Sequence, residues 1–286
     1  MSFADLPHAT RADAQAIVAQ VSGHKRIGVA YSGGVDSATL LAVLVRAMGD
    51  RVIGLLADSE SLTRTELEQA RRTAAGIGAR LVEFRTHEIE DPAYRANGAD
   101  RCFHCKHHMF TAIEDDLVER LGLDAVAYGE NADDAVAPDR PGAKAAALHE
   151  ILRPLATAGL TKQRVRSLAA ALGLSVADKP AAPCLASRIP HGEQVTPGKL
   201  AQIEQAEQVV RDAGFSDCRV RHHGAIARIE VPTEELGLLL DPATRIEVLT
   251  GVKAAGFANV TFDLAGMQCG AFTMQILRAP HLEERQ

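Results

Sequence analysis

Short apolar runs alternate with amphipathic stretches over the first half of the chain. Runs with the length and composition of buried parallel strands occur at residues 27–31, 52–57, 80–84 and 125–128. Stretches with helical periodicity separate them, at residues 37–48, 63–76 and 106–121. Strands that alternate with helices predict an α/β domain with a doubly wound parallel sheet, in which ligands bind at the carboxyl ends of the strands.

The pattern changes after one more helix, which is predicted at residues 161–172. Residues 179–197 contain four prolines and no helical period, which indicates an ordered crossing segment. The helices and strands of a smaller α+β domain are predicted beyond it, at residues 196–214, 218–223, 225–231, 234–240, 244–255 and 259–264. The predicted parts are an α/β domain over residues 1–180, a crossing segment over 181–197 and a C-terminal α+β domain over 198–286.

Composition and charge narrow the class of protein. The chain has 286 residues, of which 47% are hydrophobic, and this is enough apolar material for two domains. The formal net charge is −6 and no long basic run occurs, which argues against duplex nucleic acid as a partner. Lys162 and Arg166 are interpreted as one solvated helix face. The lack of a signal peptide and of an apolar stretch of about 20 residues, with an odd cysteine count, predicts a cytoplasmic protein without a membrane span.

A turn rich in glycine and serine joins the first predicted strand to a helix. Residues 32–37 read Ser-Gly-Gly-Val-Asp-Ser. Backbone N–H groups in such a turn, together with the positive end of the helix dipole, favour an anion. No lysine follows, so the turn is not a Walker phosphate loop. The alternative is an ordinary turn that caps a helix.

The turn resembles the pyrophosphate loop, SGGxDS, of the PP-loop ATP pyrophosphatases, which have an adenine nucleotide alpha hydrolase-like fold. Those enzymes split ATP into AMP and pyrophosphate in order to adenylate a substrate. The resemblance implies that ATP binds at Ser32, Gly33, Gly34, Asp36 and Ser37.

Polar residues follow two other predicted strands. Asp58 comes after the second strand, where it would contact the nucleotide or cap a helix. Gly129 precedes an acidic stretch that contains Asp133 and Asp134. Since Mg²⁺ takes oxygen ligands and bridges to phosphates, we expect an Mg²⁺ ion at Asp36, Asp133 and Asp134. We also expect Asp58 and Gly129, which follow strands, to contact ATP. A solvated acidic loop is the alternative for Asp133 and Asp134.

One cysteine stands in a polar stretch that is stiffened by prolines. Residues 183–188 read Pro-Cys-Leu-Ala-Ser-Arg, with Cys184 four positions before Arg188. A lone cysteine is usually a small buried hydrophobe, but this setting is unlike a core segment. Because a nearby guanidinium favours thiolate over thiol, we interpret Cys184 as a functional residue.

Several motifs together resemble the LarE family over about residues 10–270. The matching stretches are residues 32–37, 131–134, 140–142, 179–180, 183–188, 219–224 and 227–231. LarE proteins are ATP-dependent sulfur transferases that act on pyridinium-3,5-biscarboxylic acid mononucleotide during synthesis of the nickel-pincer nucleotide cofactor. The resemblance implies adenylation of a ring carboxylate, with release of pyrophosphate.

The same resemblance assigns roles to individual residues. Cys184 would attack the acyl adenylate and displace AMP; in the sacrificial version its C–S bond then breaks, leaving dehydroalanine in the protein and a thiocarboxylate on the product. Ser187, Arg188, Arg221 and Arg228 would bind the anionic substrate, because the arginine fork matches phosphate and carboxylate. Alternatively, Arg221, His223, Arg228 and Glu230 lie on the solvent face of a strand pair.

A CxxC motif at residues 102–105 is present in only part of that family. A redox pair, or a partial zinc site with His104, His107 or His108, is one interpretation. The other is that the thiolates of Cys102, Cys105 and Cys184 hold a [4Fe–4S] cluster with one open iron. Some LarE-like proteins are thought to deliver sulfide from such an iron, so that the protein is not consumed.

A second departure from the family pattern lies at Gln268, where an arginine is more common.

The expected cofactors are ATP, Mg²⁺ and a [4Fe–4S] cluster, and the expected partner is a small-molecule nucleotide. The resemblance also implies a homo-oligomer and makes other nickel-pincer cofactor biosynthesis proteins candidate partners. Two rivals stay open: another PP-loop adenylating enzyme, for NAD or GMP synthetase-like amidation or tRNA thiolation, and a nucleotide-responsive metal-binding module.

Overall fold

The computed structural model describes residues 3–136, 141–180 and 182–267, and the chain divides into two compact units. The first unit comprises Met1–Glu88 and Cys102–Ala182, and the second comprises Ile89–Arg101 and Pro183–Gln286. The stretch 89–101 thus belongs to the second unit although the residues on both sides of it belong to the first. The boundaries predicted after residues 180 and 197 stay predictions. No helix among the described residues is long and apolar enough to cross a membrane.

Strands and helices alternate along the first unit, and mixed elements follow in the second. The strands are β1 (Ile27–Tyr31), β2 (Val52–Asp58), β3 (Arg80–Arg85), β4 (Ala125–Tyr128), β5 (Arg219–His223), β6 (Ile226–Glu230) and β7 (Asn259–Phe262). The α-helices are α1 (His8–Ala19), α2 (Val35–Met48), α3 (Arg64–Ile77), α4 (Pro92–Arg95), α5 (Arg101–Ala112), α6 (Val118–Leu121), α7 (Ala132–Val136), α8 (Pro141–Leu148), α9 (Pro154–Thr157), α10 (Lys162–Ala171), α11 (Pro197–Asp212) and α12 (Pro242–Ala254). Short 3₁₀ turns occur at Gly49–Arg51, Glu88–Glu90, Leu185–Arg188 and Thr233–Leu240, and a π turn at Ile113–Leu117 joins α5 to α6.

Side chains of threonine set the starts of several helices. The hydroxyl of Thr63 accepts a hydrogen bond from the backbone N of Glu66 at the start of α3, and Thr161 does the same for α10. Such bonds satisfy backbone donors that have no partner inside the helix. Gly78, in the left-handed conformation, ends α3.

The four strands of the first unit form a parallel sheet in the order β3-β2-β1-β4. Alternate residues of β1 enter two separate apolar cores, with Val29 in one and Ala30 in the other. The first core contains residues of α1, α2, α3 and α10, whereas the second contains residues of α5, the π turn and α8. Helices therefore cover both faces of the sheet, and the predicted doubly wound α/β fold is confirmed.

The direction in which the sheet grows reverses at β1. Strands β2 and β3 extend the sheet on one side of β1, and β4 lies on its other side. Ligands of such sheets bind in the crevice at the carboxyl ends of the strands, at this reversal. The residues that follow β1 and β4 are the turn at 32–37 and Gly129, so the fold brings both to this position.

The second unit contains a three-stranded sheet in which β6 pairs antiparallel with β5 and parallel with β7. Helices α11 and α12 pack against it around a small apolar core that includes Val210, Val220, Ile229 and Val252. This sheet and its two helices confirm the prediction of a smaller α+β domain.

Candidate active site

The turn at residues 32–37 has the backbone geometry of an anion-binding loop. Gly34 is the N-cap of α2, and no side-chain hydrogen bond caps this helix. The backbone N–H groups in the first turn of a helix, with its dipole, favour a bound anion. Gly33 has a φ of 74°, and a Cβ there would lie 2.6 Å from the Cβ of Ala70. Only glycine fits this position, because both its conformation and its surroundings exclude a side chain.

The hydroxyl of Ser37 organises the turn. It accepts a hydrogen bond from the backbone N of Ser32 at 3.2 Å and donates to the carbonyl oxygen of Gly34 at 3.1 Å. It also lies 3.2 Å from the hydroxyl of Ser32. The turn is therefore held in shape by its own side chains, and a prearranged set of donors needs no rearrangement when charge develops.

Gly129 brings the end of β4 against the start of α2. A Cβ on Gly129 would lie 2.6 Å from the backbone N of Ser37 and 2.9 Å from the carbonyl carbon of Asp36. A real Cβ does not approach backbone this closely, so the contact requires glycine. The structure thus brings together the residues after β1 and after β4 that the sequence analysis predicts to bind the nucleotide.

Lys162 joins this group, although the sequence interpretation left it on a solvated helix face. Its Nζ lies 2.5 Å from Oδ2 of Asp36, and its backbone N donates to Oδ2 of Asp133 at 2.8 Å. The side chain of Lys162 is 36% exposed and that of Asp36 is 17% exposed. An ammonium group beside the anion-binding turn adds a positive charge where phosphates would bind. The sequence marks Asp133 as a residue at the end of a strand, but the pattern of apolar and polar positions does not show that the start of α10 lies beside it.

The acidic stretch after β4 is partly committed to its own backbone. Asp134 accepts a hydrogen bond from Nδ2 of Asn131 at 2.9 Å and donates its backbone N to Oδ1 of that residue at 3.0 Å. In contrast, Oδ1 of Asp36 is buried and has no hydrogen-bond partner among the described residues. A buried carboxylate oxygen without a partner fits a magnesium ligand, since Mg²⁺ typically binds one or two carboxylates together with phosphate oxygens. The participation of Asp133 and Asp134 in magnesium binding stays a prediction.

Asp58, at the end of β2, forms an ion pair with Arg64 at 2.7 Å. The alternative that Asp58 caps the next helix is wrong, because Thr63 is the N-cap of α3. Its proposed contact with the nucleotide is untested.

The segment 183–190, called here the Cys184 segment, begins the second part of the other unit. Cys184 is exposed and immediately precedes the 3₁₀ turn Leu185–Arg188. Arg188 is buried, and its Nε donates to Oε1 of Glu207 at 2.7 Å. Its Nη1 contacts the carbonyl oxygens of Pro183 and Cys184 and the hydroxyl of Ser187. Burial is the largest single influence on the pKa of Arg188 and lowers it, but the charge and the hydrogen bond of Glu207, with smaller contributions from Cys184 and Cys218, together raise the pKa.

Arg221 and Arg228 belong to a second charged cluster, on the paired strands β5 and β6. Arg221 forms a two-pronged contact with Glu230 at 3.0 and 2.8 Å, and its Nη1 donates to the carbonyl oxygen of Ser187 at 3.0 Å. Arg228 contacts Glu230 and Asp263. Arg221 is 3% exposed and Glu230 is fully buried. The alternative that these residues lie on the solvent face of a strand pair is therefore wrong for Arg221 and Glu230.

The other cysteines have contrasting surroundings. Cys102 is exposed and Cys105 is partly exposed, both on α5 of the first unit. In the same unit, Nδ1 of His107 lies 2.8 Å from Nε2 of His149. Burial raises the pKa of the Cys218 thiol to about 12, so this cysteine is unreactive at neutral pH. Within residues 3–136, 141–180 and 182–267, no three His, Cys, Asp or Glu side chains are grouped to bind a metal ion.

Two positions that the sequence analysis singled out lie outside the described residues, namely Arg140 and Gln268. The predicted loss of an arginine at Gln268 therefore stays a prediction. The predicted iron–sulfur cluster also stays a prediction, because Cys184 belongs to one unit and the CxxC motif to the other.

A parallel sheet with a pyrophosphate-type turn at its reversal point defines the class of PP-loop ATP-using enzymes. The chain is 33% identical to the pyridinium-3,5-bisthiocarboxylic acid mononucleotide synthase of Lactiplantibacillus plantarum, over 92% of this chain and 94% of that protein. The chain therefore belongs to the family of that synthase, the LarE family, as the motifs predicted.

Other relatives agree with this class. A protein of Synechocystis sp. named as uncharacterized is 38% identical over 85% of this chain and 90% of its own length. The GMP synthase of Gloeothece citriformis is 27% identical over 85% of this chain, which spans 50% of that enzyme. No family model matches the chain.

Proposed function

We propose that this protein transfers sulfur to an adenylated carboxylate of pyridinium-3,5-biscarboxylic acid mononucleotide, as one step of nickel-pincer cofactor synthesis. The observation that carries the proposal is an exposed thiol, Cys184, in a member of a family whose named synthase makes a thiocarboxylate. The prearranged turn at residues 32–37 supports the ATP-dependent half of the reaction.

In the first step, a carboxylate oxygen of the substrate attacks the α-phosphorus of ATP, and pyrophosphate leaves. The carboxylate thereby becomes a mixed anhydride with AMP, a good leaving group. In this proposal, the backbone donors of the turn and the ammonium of Lys162, which lies beside Asp36, bind the phosphates. Mg²⁺, when bound, would neutralise phosphate charge, with the unpartnered Oδ1 of Asp36 as its ligand in this chain.

In the second step, the Cys184 thiolate attacks the activated carbonyl carbon, and AMP leaves as a thioester forms. In the sacrificial version, a base removes the Cα proton of Cys184 and the Cβ–S bond breaks. The sulfur stays on the product as a thiocarboxylate, and dehydroalanine stays in the protein. Proposed substrate contacts are Ser187 and Arg228, with Arg188 and Arg221 alongside them.

The second version of the proposal uses Cys102, Cys105 and Cys184 as ligands of a [4Fe–4S] cluster, and an additional sulfide held at its open iron would be transferred in place of a cysteine sulfur. It is supported by the number and softness of the three thiols, since thiolates are the usual ligands of such clusters. A homo-oligomer and contact with other biosynthetic proteins stay predictions of the family resemblance, and a cytoplasmic location stays a prediction from the sequence composition.

The experiment that tests the function incubates anaerobically purified protein with ATP, Mg²⁺ and the dicarboxylate, in parallel with and without added sulfide. Pyrophosphate and a product heavier by the exchange of oxygen for sulfur are expected. The intact mass of the protein separates the two versions: the sacrificial one predicts loss of one H₂S per product, and the cluster one predicts an unchanged chain and bound iron. Pyrophosphate without any sulfur-containing product would refute the proposal.

The similarity to GMP synthase favours one second candidate, which is ATP-dependent amidation. In that reaction, ammonia takes the place of the thiolate and Cys184 has no chemical role. An amide product that forms at the parental rate in Cys184→Ala would establish this alternative.

A further inference from the structure

Buried polar side chains hold the Cys184 segment through its main-chain oxygens. Arg101 donates from Nη1 to the carbonyl oxygen of Ala186 at 2.9 Å. Arg188 contacts the carbonyl oxygens of Pro183 and Cys184. Each of these guanidinium groups belongs to a residue that is less than a tenth exposed. The backbone on both sides of the exposed thiol is therefore fixed by charge-assisted hydrogen bonds, which are stronger than neutral ones.

Asn97 extends this hold to the end of the segment. Its Nδ2 lies 3.2, 2.8 and 3.1 Å from the carbonyl oxygens of Ile189, Pro190 and Glu193. Its own carbonyl oxygen accepts a hydrogen bond from the backbone N of Gly192 at 3.2 Å. Asn97 is completely buried and has a φ of 57°, a strained conformation that asparagine adopts more readily than most residues. Its Oδ1 in turn accepts a hydrogen bond from Arg101.

Glu207 anchors the other side. Its two carboxylate oxygens accept hydrogen bonds from Arg188, and Oε1 also accepts one from the backbone N of Val220 at 3.1 Å. Glu207 is 1% exposed, so its charge is balanced inside the unit rather than by water. Removing one partner of such a buried pair leaves an uncompensated charge.

We propose that Asn97, Arg101 and Glu207 are positioning residues that fix the backbone of Cys184 for sulfur transfer; the inference rests on the proposed function of that thiol. None of the three belongs to the residues assigned above to ATP or substrate. The stretch 89–101, which belongs to the second unit although it separates two parts of the first unit in the sequence, thereby acquires a role, because it supplies two of the side chains that hold the Cys184 segment. We call the four residues that hold the Cys184 segment the clamp; they are Asn97, Arg101, Arg188 and Glu207.

The proposal explains why charged side chains are buried around the Cys184 segment. Buried ion pairs contribute little net stability compared with apolar residues of similar volume. Their use around an exposed thiol is explained if the segment needs one fixed geometry. Misplacement of a reacting group by about 1 Å can reduce a reaction rate by ~100-fold.

The test uses the full-length protein with Arg101→Gln and Glu207→Gln, which keep approximate side-chain size and remove the charge. Val248→Ala is the matched control, because Val248 lies in the apolar core of the same unit and not in the clamp. Hydrogen exchange is followed at the backbone N–H groups of Ser187, Ile189 and Gly192, whose acceptors lie in or beside the segment. Pyrophosphate and thiocarboxylate are measured in the same samples.

Both clamp variants are expected to exchange faster at those three amides and to lose sulfur transfer by about tenfold or more, while pyrophosphate release persists. Val248→Ala should lower the unfolding temperature without this split between the two products. Arg101→Lys, which keeps a charged donor, should recover part of the sulfur transfer.

Parental exchange and parental sulfur transfer in both clamp variants would overturn the proposal. Faster exchange with undiminished sulfur transfer would overturn it as well, because the fixed geometry would then be unnecessary. A parent protein that transfers no sulfur would instead refute the proposed function, and faster exchange in the variants would still support a clamp on the segment.

Discussion

The turn at residues 32–37 and the Cys184 segment are both short irregular stretches, yet they are held in different ways. The turn at residues 32–37 is stabilised by hydroxyls within the turn and by two glycines that permit close backbone contacts. The Cys184 segment is held by buried charged side chains that come from distant parts of the chain, such as Arg101 and Glu207. The comparison shows that the shape of the turn depends mainly on hydrogen bonds between its own residues, whereas the backbone of the Cys184 segment depends on side chains from distant parts of the sequence.

The largest effect is expected where backbone contact builds the turn. Gly129→Ala would place a methyl group 2.6 Å from the backbone N of Ser37, so the start of α2 must move. We expect pyrophosphate release to fall by more than ~100-fold, because the donors lose their alignment. Gly76→Ala is the control, since no atom lies within 4 Å of a Cβ at that helical position. A Gly129→Ala protein with parental pyrophosphate release would show that the turn tolerates displacement.

The next effect concerns the charge beside the turn. Lys162→Met removes the ammonium that lies 2.5 Å from Asp36 and would contact phosphate. We expect the rate of pyrophosphate release to fall by about 100-fold, the usual consequence of losing one prearranged donor. Lys25→Gln, at an exposed position of the same unit, should be neutral. Equal rates in the two variants would restore the interpretation of Lys162 as a solvated residue.

Much of the first unit could be predicted from the sequence, because its signals are local. The strands fall within a residue or two of the apolar runs at 27–31, 52–57, 80–84 and 125–128, and the turn at 32–37 is a contiguous motif. The register that places Gly129 beside Ser37 follows from the sheet order, which periodicity does not contain. Lys162 was misinterpreted for the same reason, since only the fold brings it to Asp36.

The second unit was predicted less completely for a physical reason. Cys184 could be singled out from its prolines and its arginine, but the residues that hold its backbone are separated from it by up to about ninety positions in the sequence. Arginine and glutamate are normally exposed, so no pattern of hydrophobic residues reveals that Arg188 and Glu207 are buried. Asn97 was missed because a left-handed asparagine has no distinct sequence signature.

A stability measurement sharpens the contrast between the two regions. Glu207→Ala leaves the guanidinium of Arg188 buried without its carboxylate, and we expect the free energy of unfolding of the second unit to fall by about 3–5 kcal/mol. Glu83→Ala removes a surface ion pair with Arg71 in the first unit and should have a much smaller effect. Denaturant unfolding of the two variants measures both. Similar small losses would mean that the clamp contributes nothing that a surface pair does not.

The smallest effect is a pH dependence of the second unit. Burial lowers the pKa of His222, whose Nδ1 is buried and has no hydrogen-bond partner in the part of the chain that the structure describes. A depressed pKa means that the unfolded chain binds the proton first, so stability is present above about pH 6.5 and is lost as the pH falls through the folded-state value. Thermal unfolding followed between neutral and acidic pH should show this loss, and His222→Gln should reduce it. An unchanged slope in the variant would assign the effect to other groups, such as His223.

The central claim is that activation and sulfur transfer are separate tasks, with Cys184 needed only for the second. Pyrophosphate and thiocarboxylate, measured together in reactions of the parent protein and of Cys184→Ala, test it most directly. The account predicts that the variant still releases pyrophosphate in the presence of ATP, Mg²⁺ and the dicarboxylate but forms no thiocarboxylate. Parental thiocarboxylate yield from Cys184→Ala would contradict the account, because the sulfur could then not depend on that thiol.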